Sequence, residues 1–303
     1  LFIAFEEITR DQALALGATE KRLGAGIESF WPNKLVEVNP EGQIVWQWRF
    51  QDHYSSESLG NQSDPGKLDI NVTETNFAAV NRDMSHSGVL DYDAVNDQIL
   101  FSARIASELY IVDHSTANYD EPAAGIEVAK GPAGDFLWRY GNSGNYLAGA
   151  RHVRADPGDR QLFSGHGANW IPVGMPGGGN VLVHNNGVGR SGSMPETMPQ
   201  TALWLLQRFV LSTTDDYATI DEINPATGEM VWRFRASEPK AISGFVGGSA
   251  YRLPNGNTHV TSGQHGHIFE VTNAGEVVWE YLSPATSYGA MVRPLSLIHI
   301  SEP

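Results

Sequence analysis

The chain has 303 residues and carries 35 acidic against 20 basic side chains, a net charge of −15. So acidic a surface does not suit nucleic acid or an anionic membrane, and no apolar run approaches the roughly 18 residues of a membrane-spanning helix. The absence of cysteine removes disulfides, thiolate metal sites and cysteine nucleophiles.

The sequence opens on Leu1 rather than Met and enters at once on an apolar run to Phe5. It therefore reads as a fragment whose native N-terminus lies upstream, with no signal peptide in view. Residues 9–17 (TRDQALALG) predict a short helix, with a capping threonine, good helix formers and a terminating glycine. A phrase then recurs. It occupies residues 34–50, residues 108–115 with 134–140, residues 218–236 and residues 268–282. Each copy is an apolar strand ending in a polar residue, a turn with Gly or Asn, and a short strand bearing Trp46, Trp138, Trp232 or Trp279. The alternation in Ile44-Val-Trp-Gln-Trp48 has period two, so these are strands. Turn signals at Met175–Gly179 and Pro254–Asn257 add a preceding hairpin to the third and fourth copies. Four strands per repeat with one placed aromatic is the β-propeller blade. The expected fold is all-β, a β-propeller of four-stranded blades, four of them recognisable, with loop insertions over 51–82, 116–133 and 142–160. Residues 188–216 are mixed, and the apolar run 200–211 is of undecided type. The last residues, 295–303 (LSLIHISEP), match what a common sequencing-library adaptor encodes in one frame. The domain reading is a partial propeller over 1–294 and a non-native tail over 295–303, so His299 carries no weight.

Candidate chemistry lies at the strand ends. His86 stands just before one strand-like run and Arg104 at the end of the next; the segment Gly165-His166-Gly-Ala-Asn169-Trp170 sets another histidine ahead of Ile171-Pro172. Arg190 follows Asn185-Asn186-Gly187, and Gly263-Gln-His265-Gly-His267 sets two histidines on one face of a strand in the last blade. Histidines with arginines suit a site for an anionic group. Each also has a plainer reading: a loop histidine bonded to a backbone carbonyl, or an arginine paired with an acid on a blade surface. His53, His114, His152, His184 and His259 take that plainer reading, as do the four blade tryptophans. No HExxH, EF-hand or cysteine-based metal motif is present.

Taken in order, these segments resemble the bacterial arylsulfotransferases, the PAPS-independent arylsulfate sulfotransferases. The family's Asp-Trp-x-His-x-Asn is similar to Asp83-Met-Ser-His86-Ser-Gly88, keeping the Asp and His but not the Trp or Asn. Ser102-Ala-Arg104, Gly165-His166, Asn185-Asn-Gly-Val-Gly-Arg190 and Arg252-Leu-Pro-Asn-Gly-Asn-Thr258 resemble further family phrases. The resemblance covers most of residues 1–285. It implies a six-bladed propeller, of which part is missing here, and a periplasmic or extracellular location. It also implies sulfuryl transfer from a phenolic sulfate ester to a phenol acceptor through a histidine intermediate. His265, His86 and His166 are the implied catalytic residues, with His265 as nucleophile; Arg104, Arg190 and Asn169 bind substrate. No cofactor or metal is implied, and the implied partners are a small-molecule aryl sulfate and a phenolic acceptor, with no nucleic acid and no membrane span; no oligomeric state is implied. Two rival readings remain: a quinoprotein-type propeller dehydrogenase, suggested by residues 224–234, and a non-catalytic ligand-binding propeller, suggested by the departures at Met84, Gly88 and Gly165.

Overall fold

The computed structural model describes residues 1–61, 64–71, 82–145, 160–190, 216–237, 242, 244 and 247–283. His152, the run 200–211 and the tail 295–303 lie outside the described residues. The chain divides into two compact units, one ending at Ser164 and the other starting at Gly165.

The first unit holds two of the repeats. Strands β1 (Phe2–Phe5), β4 (Asn33–Val38) and β5 (Ile44–Arg49) form a three-stranded antiparallel sheet in the order β1-β4-β5. Strands β8 (Ser87–Asp93), β9 (Gln98–Ala103), β10 (Glu108–Asp113) and β11 (Trp138–Tyr140) form a four-stranded meander. Alternation decides which side is covered: Leu35 and Trp48 pair across β4 and β5 and are both buried. They join Phe50, Phe101, Tyr110 and Phe136 in one aromatic core. The helix predicted over 9–17 is α1 (Arg10–Ala15). Its capping box is closed in both directions, Gln12 N–H to Thr9 Oγ1 at 3.2 Å and Thr9 N–H to Gln12 Oε1 at 2.8 Å. A single turn, α2 (Glu20–Leu23), follows it, and β2 (Ile8–Thr9) pairs with β3 (Ser29–Phe30).

Two insertions expected as loops contain structure. Within 51–82, β6 (Tyr54–Ser55) pairs in parallel with β7 (Leu68–Asp69). Within 116–133 lies α3 (Pro122–Ala129), which has no side-chain cap. It is held by tertiary contacts: Gly125 sits where a Cβ would come within 2.7 Å of Thr116 O and Asn118 N, and His53 Nε2 donates to Ala129 O at 2.9 Å. Sequence signals of helix ends do not register such support.

The second unit holds the other two repeats, each a four-stranded antiparallel meander. One is β12 (His166–Trp170), β13 (Val181–Asn185), β14 (Thr219–Asn224) and β15 (Glu229–Phe234); the other is β16 (Ser249–Arg252), β17 (Thr258–Ser262), β18 (His267–Val271) and β19 (Val277–Leu282). Leu182, Ile220, Phe234, Ala250, Val260 and Phe269 form their common core. Trp46, Trp138, Trp232 and Trp279 all fall on the last strand of their sheets. This is the all-β architecture of propeller blades. Among the described residues no helix is long and apolar enough to cross a membrane, which says nothing of a β-barrel.

Candidate functional site

In the first unit the site is built on a turn. Asp83 Oδ1 accepts the backbone N–H of Ser85 at 3.3 Å and of His86 at 2.8 Å. That Asx turn holds His86 at φ +47°, a left-handed conformation uncommon for a non-glycine residue. The other carboxylate oxygen, Oδ2, meets His86 Nδ1 at 2.5 Å. A carboxylate can only accept, so Nδ1 carries the proton and Nε2 is left with the lone pair when the ring is neutral. Asp83 is nearly buried while the His86 side chain is 44% exposed, so the ring reaches out from an anchored base.

Asn33 braces the same turn, its Oδ1 accepting from Ser85 Oγ at 2.8 Å and Ser87 N at 2.7 Å. Arg22, buried on α2, lies within electrostatic reach of Asp83 and Tyr54; burial pushes its pKa down to about 10 against the pull of both. The sheet register continues one step beyond Ser87↔Ala103, and Arg104 N–H donates to His86 O at 3.2 Å. The backbones of His86 and Arg104 are thus adjacent at the sheet's end.

The second unit repeats the theme with an amide. His166 opens β12 and stands opposite His184 in register. Its Nδ1 faces Asn186 Oδ1 at 2.8 Å, while Asn186 Nδ2 donates to Gly244 O at 3.0 Å and Gly247 O at 2.9 Å. Those two carbonyls fix the amide's orientation, so the neutral His166 is protonated on Nδ1 and again presents Nε2 as a lone pair.

His184 was expected to be structural, and it is fully buried. Neither ring nitrogen has a hydrogen-bond partner among the described residues. Burial drives its pKa down to about 4, only partly opposed by Asn186 and Asp221, and repulsion from His265 adds to the drop. Gly248 packs closely against its ring: a Cβ there would come within 2.6 Å of His184 Cγ.

His265 and His267 do not share a strand. A 3-10 turn over Gly263–His265 and a left-handed Gly266 (φ 60°) interrupt the chain before β18 begins at His267. His265 is exposed at the end of that turn, whereas His267 Nε2 meets Glu280 Oε2 at 3.0 Å. Arg190 donates through Nε to Tyr217 O at 3.2 Å and through Nη2 to Thr219 Oγ1 at 3.3 Å, with its guanidinium 4.6 Å from the Tyr217 ring centre. Asn169 is buried and donates from Nδ2 to Gly167 O at 3.1 Å and Ala250 O at 2.7 Å, tying β12 to β16.

Asp83, Asn33, Asn186 and His184 were not singled out from sequence. The Asp-x-x-His spacing of an Asx turn could have flagged Asp83; His184 needed the register. Among the described residues no cluster of His, Asp and Glu is arranged to hold a metal ion.

The antiparallel four-stranded meanders define a β-propeller protein, and two of them carry imidazoles anchored through Nδ1 at the ends of their first strands. The arylsulfotransferase (ASST) family matches residues 6–287, and the chain belongs to that family. No curated protein matches the chain significantly. Among solved structures it is similar to a protein of unknown function from Bacteroides caccae, with 13% identity over 87% of this chain and 57% of that one and a TM-score of 0.38. It is also similar to streptogramin B lyase, at 10% identity over 93% and 59% with a TM-score of 0.36. A third is BamB from Moraxella catarrhalis, at 14% identity over 93% and 52% with a TM-score of 0.33. The chain spans between half and three fifths of the length of these structures.

Proposed function

We propose that the protein moves a sulfuryl group from a phenolic sulfate ester to a phenol acceptor through a sulfohistidine, outside the cytoplasm and without a cofactor. In the first half-reaction an imidazole nitrogen of His265 attacks sulfur, the S–O bond to the aryl group breaks, and the phenolate leaves with a proton from a neighbouring imidazolium. The second half-reaction reverses these steps on the acceptor phenol. His86 and His166 are the proton-handling residues, because each has its Nδ1 held by a side-chain oxygen, which fixes the tautomer of the neutral ring. Arg104 balances the sulfate charge beside His86. Arg190 and Asn169 complete the substrate contacts, shaping the strand ends through the carbonyls they hold.

The observation that carries this reading is the pair of Nδ1 anchors, Asp83 on His86 and Asn186 on His166, in a chain of the arylsulfotransferase family. Incubation with 4-nitrophenyl sulfate, rapid digestion at alkaline pH and mass spectrometry should find one sulfuryl group on His265. His265→Ala should abolish it, and His86→Ala and His166→Ala should slow its formation. A label on a residue other than histidine, or an undiminished label in all three variants, would refute the scheme.

A further inference from the structure

His166, His184, Ile220 and Phe234 stand in one row across the third sheet, from β12 through β13 and β14 to β15. Just beyond that row, at the end of the sheet where His166 lies, three side chains meet. Arg190 comes from the loop after β13, Tyr217 from the segment before β14, and Arg235 is the residue after β15.

The chain is built to bring them together. Gly187 has φ +80°, and a Cβ there would fall 1.9 Å from Tyr217 O, so only glycine lets the loop lie so close to that backbone. Asp216 is buried and accepts from the N–H of Gly189 at 2.9 Å, which pins the same loop. Arg190 is thereby delivered to the carbonyl and the ring of Tyr217. The Arg235 guanidinium meets that ring too, 3.6 Å from its centre.

Arg233, two residues earlier, shows the usual fate of an arginine in this acidic chain. Its Nε and Nη2 donate to the two oxygens of Asp221 at 2.7 and 3.0 Å. Arg235 is exposed, and among the described residues it has no carboxylate within ion-pair distance. A phenol ring attracts a guanidinium without neutralising it. Two guanidiniums on one ring repel each other, and an anion that touches both relieves the repulsion.

We propose that Arg235, stacked on Tyr217 beside Arg190, binds a second anionic group of the aryl substrate. It would select elongated aryl sulfates with a carboxylate at the far end. The inference rests on the sulfuryl-transfer reading for the group that sits at His166. Length follows from the sheet: Arg235 leans back toward β14, two strand spacings or roughly 10 Å from β12. A single phenyl ring falls short of that span, and a biphenyl covers it. The planar fork of an arginine suits a carboxylate better than a point charge does.

The test uses the full 303-residue chain and two inert sulfonates, biphenyl-4-sulfonate and 4′-carboxybiphenyl-4-sulfonate. Sulfuryl transfer cannot break their carbon–sulfur bonds. In titration calorimetry the carboxylated ligand should bind wild type about tenfold tighter than the plain one. Arg235→Gln should erase that preference, and Arg235→Lys should keep part of it. The corresponding aryl sulfates should show the same preference in KM, with kcat for the two substrates alike. Equal binding of the two sulfonates by wild type overturns the proposal, as does a preference that Arg235→Gln leaves intact. If neither aryl sulfate turns over but the sulfonate preference still depends on Arg235, the anion subsite stands and the sulfuryl-transfer reading falls.

Discussion

The two anchored histidines occupy equivalent places, one immediately before and one at the start of a first strand, yet they are held by different chemistry. His86 leans on a carboxylate backed by a buried guanidinium, in a left-handed turn that the same carboxylate creates. His166 leans on a neutral amide whose direction two carbonyls dictate, and its cross-strand neighbour is a buried histidine kept uncharged. A carboxylate stabilises the imidazolium; an amide orients the ring without adding charge. One ring is therefore held beside a charged group and the other beside a neutral one.

The hardest blow to that contrast is Asp83→Asn. It removes the charge and offers the wrong group to Nδ1, and turnover with 4-nitrophenyl sulfate should fall about 10²–10³-fold. An unchanged rate would place His86 outside the chemistry. Gly248→Ala attacks the other side. It sets a Cβ against the His184 ring at a backbone φ of +109°, and should cost about 3–4 kcal/mol in denaturant melts.

The burial of His184 makes the second unit acid-sensitive. Its folded pKa, about 4, lies below the usual 6.5, so in between the unfolded chain binds the extra proton. Stability from this residue is complete above about pH 6.5 and is lost as pH falls toward 4, by about 3 kcal/mol in all. Urea melts at pH 7 and pH 4.5 should show the loss, and His184→Leu should flatten it.

A milder probe is Asn186→Asp, which gives the second site the anchor of the first. The charged imidazole of His166 is then favoured, and the rate at pH 7 should drop about tenfold. The smallest effect expected is Trp232→Phe, about 1 kcal/mol for the indole bond to Asn273 O.

Much of this architecture is legible in the sequence because it is local. Period-two alternation and Gly/Asn turns locate the blade strands, and the Thr9–Gln12 spacing marks the first helix. The helix over Pro122–Ala129 was missed because it lacks a cap and depends on Gly125 fitting against a neighbouring turn. The spacing of His265 and His267 suggested one strand face; Gly266 in a left-handed conformation broke it. His86 and Arg104 were legible as strand-end residues because the strands between them are consecutive. The pairing of His166 with His184 depends on a hairpin register with a shift between His166 and Asn169, which alternation cannot reveal. The anchors Asp83 and Asn186 are ordinary turn residues until their second partners are seen.

Among the described residues, Trp46 on β5 donates its indole N–H to Thr116 Oγ1 and Trp232 on β15 donates to Asn273 O, each in the turn after the third strand of the following sheet. Each bond couples a turn to the preceding sheet inside one unit, and losing either partner leaves the other unsatisfied. Loosening one tryptophan should therefore quicken hydrogen exchange in the turn it holds, at Thr116 or Asn273, and in its own strand, while the other unit keeps its protection.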